Sequence, residues 1–109
     1  MGQDELDGFV RACAVDEVPS MMPRRVVLNA RGILICRGKD LESIFAVDEL
    51  CPHKSESMAM GLVHEGRILC PHHQYTFDLE TGRCTNQRRC LPVQTYPVKI
   101  IDGAVFVRL

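Results

Sequence analysis

Apolar residues come along this chain in short runs broken by Gly, Asp, Asn and Pro, and few windows keep a helical period. Residues 9–14, 24–28, 33–37, 44–48 and 61–64 read as strands, with Asn29-Ala30-Arg31-Gly32 and Arg37-Gly38-Lys39-Asp40 supplying turns. Residues 96–101 and 104–109 flank Asp102-Gly103, a pair that tolerates positive φ at both central positions of a type I′ hairpin. Alternation there places Val105, Val107 and Leu109 on one face. His64-Glu65-Gly66-Arg67 marks a second tight reversal, leading into Ile68-Leu69. Asp16-Glu17-Val18-Pro19 suggests at most one helical turn, stopped by Pro19 and again by Pro23. With no internal repeat or linker in view, the pattern predicts one all-β domain over residues 1–109, an antiparallel barrel or sandwich.

Composition narrows the function. At 109 residues there is room for one modest core and no second catalytic module. The formal net charge of -1 disfavours nucleic acid or an anionic membrane as partner, since either selects a clearly basic surface. The first 20 residues lean acidic, through Asp4, Glu5, Asp7, Asp16 and Glu17, and residues 83–108 lean basic, through Arg83, Arg88, Arg89, Lys99 and Arg108. The start has neither a basic nor an apolar stretch of a secretory signal, and runs such as Ile33-Leu34-Ile35-Cys36 fall far short of the roughly 18 to 20 residues of a membrane span. A cytoplasmic location is the expectation.

The chemistry concentrates in two loops, Cys51-Pro52-His53 and Cys70-Pro71-His72-His73. Each offers a thiolate and an imidazole, so together they can hold a binuclear iron–sulfur cluster with two Cys on one iron and two His on the other. A Cys₂His₂ set also suits zinc, but zinc sites space their ligands as Cys-x₂₋₄-Cys and His-x₃₋₅-His rather than in mixed loops. The candidate metal ligands are Cys51, His53, Cys70 and His73. His72 and His64 read as exposed neighbours. Cys13 and Cys36 lie in apolar strands and read as buried hydrophobes; Cys84 and Cys90 could bridge across the short loop that carries Arg88-Arg89, but a cytoplasmic setting favours free thiols.

Cys51-x-His53 with Cys70-x-x-His73 resembles the Rieske-type [2Fe-2S] family. Met58 and Gly61 stand where that family has Leu-x-x-Gly, Phe77-Asp78 and Thr81-Gly82 match its Phe-Asp-x-x-Thr-Gly turn, and Thr95-Tyr96-Pro97-Val98 with Asp102-Gly103 resembles its closing hairpin. The likeness covers roughly residues 9 to 109. It implies antiparallel sheets forming a base, an inserted cluster-binding lobe over about residues 49–85, an inner iron held by the two Cys and an outer iron held by the two His. It also implies a soluble one-electron carrier, not an enzyme, taking electrons from a flavin reductase and passing them to an oxygenase or reductase. The alternative is the non-catalytic small subunit of an NAD(P)H-dependent nitrite reductase; a structural or sensory cluster domain is a weaker third.

Departures from the family refine this. Membrane-bound respiratory members carry an extra, disulfide-bonded Cys in each loop, and the corresponding stretches here have none. Those members also place a Ser and a Tyr to hydrogen-bond sulfur, where this chain has Tyr75 and Phe77. Fewer donors imply a potential toward the low end of the Rieske span of roughly -150 to +300 mV. Gln74 occupies a place that is commonly Gly, and its side chain favours ordinary φ and ψ there.

Overall fold

The computed structural model describes residues 8–72, 74–86 and 90–109. The described residues form ten strands in chain order: β1 (Phe9–Ala14), β2 (Arg24–Leu28), β3 (Arg31–Arg37), β4 (Ile44–Asp48), β5 (Leu62–His64), β6 (Arg67–Leu69), β7 (Thr76–Asp78), β8 (Thr95–Tyr96), β9 (Val98–Ile101) and β10 (Ala104–Arg108). A single 3₁₀ turn, Val15–Glu17, follows β1. All strand pairings among the described residues are antiparallel. Among the described residues the strands form three open sheets, in the orders β1-β10-β9, β2-β3-β4-β8 and β5-β6-β7, none of which closes into a barrel.

The unbroken apolar run in β3 has a plain cause: the central sheet is covered on both faces. Ile33 and Ile35 point into a core shared with Cys13, Leu28, Ile44, Ala46, Tyr96, Val105 and Val107. Leu34 and Cys36, on the opposite face, join Val47, Val63, Ile68, Phe77, Leu79 and Val93 in a second core. Cys51 and Cys70 belong to that second core, so the central sheet is the floor on which the candidate metal loops rest. Cys13 and Cys36 are buried, as the sequence suggested, and burial pushes the Cys36 thiol up to about 12.

The carboxy-terminal hairpin forms as expected, with Asp102 and Gly103 both at positive φ. Val105 and Val107 are buried, but Leu109 lies beyond the last strand and is 39% exposed. The expected single strand over 96–101 divides at Pro97: β8 pairs with β4 and β9 with β10. Proline has no N–H for a ladder, and at this point the chain passes from the central sheet to the outer one. The reversal between β5 and β6 has Glu65 and Gly66 at positive φ. β7 was not expected as a strand, since three residues between a metal loop and a turn carry too little alternation to be read.

Asp78, at the end of β7, accepts hydrogen bonds from the Thr81 N–H (2.9 Å) and hydroxyl (3.0 Å). Gly82 follows at φ +79, with Val93 O so near that a Cβ has no room. The Phe-Asp-x-x-Thr-Gly pattern is therefore a side-chain-closed turn that needs glycine at its end. Among the described residues no helix is long and apolar enough to cross a membrane.

Candidate metal centre

The two Cys-Pro-His loops are built alike. In the first, Cys51 N–H donates to Glu56 O (2.7 Å) and Cys51 O accepts from Ser55 N–H (2.7 Å). In the second, Cys70 N–H donates to Tyr75 O (2.8 Å) and Cys70 O accepts from Gln74 N–H (2.9 Å). The fourth residue after each Cys takes positive φ: Ser55 at 55° and Gln74 at 59°. The expectation of ordinary backbone angles at Gln74 is therefore corrected. The turn requires the left-handed region, and Gln adopts it in the place where glycine would be unstrained. The repeat Cys-Pro-His, at loop scale, is one that strand-level reading passed over.

The first loop is moored to the central sheet and the second to the β5-β6-β7 sheet. Asp48, the last residue of β4, donates its N–H to Gln94 O (2.9 Å) and receives the Tyr96 hydroxyl on Oδ1 (2.9 Å) and the Leu50 N–H on Oδ2 (3.1 Å). Burial, and then that bond to Asp48, raises the Tyr96 pKa. Glu49 Oε2 accepts from Arg25 Nε of β2 (2.9 Å) and from Ser57 Oγ (2.7 Å), while Met58 N–H donates to Glu49 O (2.8 Å). These bonds hold the Glu56 side of the loop close to its start. The second loop lies between β6 and β7, so the β6-β7 ladder sets its width.

Cys51 and Cys70 are both fully buried. Burial raises the Cys51 pKa, the backbone N–H groups of His53 and Lys54 pull it down by hydrogen bonding to the sulfur, and the Cys70 thiol raises it again. The Cys70 thiol thus acts directly on Cys51, and the loop itself supplies amide donors to the Cys51 sulfur that side-chain reading did not count. His53 is exposed beyond them. His73 lies outside the described residues. Among the described residues no three His, Cys, Asp or Glu side chains close on one point as a single-ion site.

Cys84 and Cys90 pack against the core that contains Cys51 and Cys70, and both are free thiols, as expected. Cys90 is pushed up to about 12 by burial first, then by Cys84, with further contributions from Cys51 and Cys70. The isolated bridge between Phe77 and Cys84 ties Cys84 to β7, the strand that follows the second metal loop. His64 is exposed at the end of β5, and Arg88-Arg89 lies outside the described residues.

Residues 8–108 match the family model for a Rieske-like [2Fe-2S] domain. The chain belongs to that family. Its cofactor is therefore a Rieske-type [2Fe-2S] cluster, and the zinc reading falls away. Among curated relatives, the chain is 33% identical over 96 residues to the anthranilate 1,2-dioxygenase ferredoxin subunit of Burkholderia cepacia, covering 88% of this chain and 87% of that one. It is 40% identical over 105 residues to the ferredoxin component of the naphthalene 1,2-dioxygenase system of Pseudomonas aeruginosa, covering 93% and 95%. Among solved structures, the Rieske fold of the Sphingomonas yanoikuyae B1 ferredoxin superposes with a TM-score of 0.83 at 29% identity, covering 93% of this chain and 98% of that one.

Proposed function

We propose that this Rieske protein is a cytoplasmic one-electron carrier that receives electrons from a flavin reductase and delivers them to an oxygenase. Cys51 and Cys70 hold the inner iron, and His53 and His73 the outer one. The observation that carries this reading is the pairing of two fully buried thiols, packed in one core, with an exposed imidazole at the head of the first of two matched loops.

The donor chemistry fits the cluster. Thiolates are soft, anionic ligands suited to ferric iron, and neutral imidazoles lower the negative charge that opposes reduction. Bound there, the cluster supplies reversible uptake of a single electron. The protein's share is to exclude water from the thiolates, offer the His53 and Lys54 amides to sulfur, and leave His53 at the surface. An acceptor docking over that imidazole comes nearest the metal. Both curated relatives described above are ferredoxin components of dioxygenase systems, which favours an oxygenase over a nitrite reductase as acceptor.

The test is reduction of the purified protein by an NADH-dependent flavin reductase, followed by rapid mixing with an aromatic-ring dioxygenase. The expected result is full reduction and reoxidation within turnover times. A cluster that is reduced but not reoxidised by oxygenase, and is reoxidised by a sirohaem nitrite reductase, would replace the acceptor assigned here.

A further inference from the structure

Residues 84–86 run back along β7 and the exit of the second metal loop. Cys84 pairs with Phe77 through an isolated antiparallel bridge, and Thr85 N–H donates to Thr76 O (2.8 Å). At Asn86 the pairing passes from backbone to side chain. Its Oδ1 accepts the Thr76 N–H (3.0 Å), and its Nδ2 donates to Gln74 O (2.8 Å). The carboxamide thus offers one acceptor and one donor, as the peptide of a paired strand does. Both partners are backbone groups of fixed polarity, so only one orientation of the amide serves them.

We infer that Asn86 is the positioning residue of the second metal loop, acting through Gln74. The inference rests on the ligand assignment proposed above, in which Cys70 and His73 belong to this loop. Gln74 stands at φ +59 and closes the turn with its N–H on Cys70 O (2.9 Å). A residue with a Cβ is strained in the left-handed region and stays there only when its surroundings hold it. Asn86 does so from across the loop: it fixes the Gln74 carbonyl and, two residues on, the Thr76 N–H. With both held, the peptide after Gln74 cannot rotate, and the turn on Cys70 O stays shut. Asn86 therefore takes over a task that glycine at position 74 would make unnecessary, since glycine adopts positive φ without strain. Loop order and metal binding are coupled, so a loosened turn lets the cluster go sooner.

Asn86→Ala removes both bonds, and Asn86→Asp keeps the acceptor for Thr76 while losing the donor to Gln74. Each is made alone and together with Gln74→Gly, and read on purified holoprotein by bleaching under excess EDTA and by amide exchange at Gln74. Alone, both Asn86 variants should bleach about five- to tenfold faster, in line with the loss of one or two modest hydrogen bonds. The Gln74 amide should exchange faster by a similar factor, with β3 amides unchanged. In the Gln74→Gly background the same substitutions should change either rate by less than about twofold, the non-additivity expected of coupled residues. Equal acceleration in both backgrounds would overturn the inference, as would wild-type rates in Asn86→Ala or Asn86→Asp alone. Failure of the ligand assignment is separately visible: the wild-type protein then lacks a histidine-ligated spectrum, while amide exchange at Gln74 still reports on the Asn86 clamp.

Discussion

The Glu49 carboxylate accepts the Ser57 hydroxyl at 2.7 Å and, on the same oxygen, Arg25 Nε at 2.9 Å. One side chain therefore ties β2 of the base to both ends of the first metal loop. Gly32 of β3 makes room for it, since a Cβ there collides with the Glu49 carboxylate.

Glu49→Ala leaves Ser57 and Arg25 without their common acceptor. It should cost about 1 to 3 kcal/mol of stability, as expected for breaking a charge-assisted hydrogen-bond network. Denaturant unfolding of the holoprotein measures this; a loss within 0.3 kcal/mol, taken as the approximate additivity error between sites, would show that the network does not moor the loop.

The Glu49 pKa is lowered, first by the hydrogen bond from Arg25 and then by that from Ser57. A depressed folded-state value gives stability that is fully present above the unfolded carboxylate range and is lost as pH falls through the lower folded value. Wild-type stability should therefore decline on acidification below about pH 4.3, the ordinary glutamate value, and Glu49→Gln should flatten part of that decline. Parallel curves for the two proteins would contradict the assignment.

At Gln74 the left-handed backbone is the quantity to test. Gln74→Gly should be neutral or stabilising by up to about 1 kcal/mol, because relief of strain is partly offset by chain entropy. Gln74→Val should lose about 1 to 2 kcal/mol, a β-branched residue being poorly tolerated at positive φ. Thermal unfolding of the two variants gives the order directly.

On the ligand set proposed above, in which His73 is one of the two protein ligands of the outer iron, His73→Ala should abolish or severely deplete the visible spectrum, whereas His72→Ala should retain it. An intact Rieske-like spectrum in His73→Ala would remove that residue from the ligand set. Cluster removal by a chelator should, in addition, speed hydrogen exchange at the Ser55 and Gln74 amides, whose turns close on the Cys carbonyls. Amides of β3 should keep their protection, as that strand is buried on both faces.

Much of this molecule is legible in its sequence. The strands carrying Ile33 to Cys36 and Val105 to Val107, and the Asp102-Gly103 turn, follow from local periodicity and turn chemistry, which need no tertiary information. The division of 96–101 at Pro97 was less visible, because the residue that cannot join a ladder lies inside an otherwise continuous apolar run. At the site, Cys51, His53 and Cys70 stand out by type and spacing. The contacts around them do not: Tyr75 on His53, Glu56 on His72 and Glu49 on Ser57 cross between segments, and the approach of Cys84 and Cys90 depends on how the strands after β6 pair. Side chains that act across loops leave no local periodicity to read.

The presence of Cys84 and Cys90 on the same core as Cys51 and Cys70 also defines the sharpest test of the account. Four thiols and a histidine pair are rival donor sets, and they differ in potential. Redox titration of the purified protein, with iron and sulfide counted on the same sample, should show one electron per two irons at a midpoint within the Rieske span of roughly -150 to +300 mV, toward its lower end. A midpoint near about -400 mV, as for an all-cysteine plant-type cluster, would contradict histidine ligation and with it the roles given to His53 and His73.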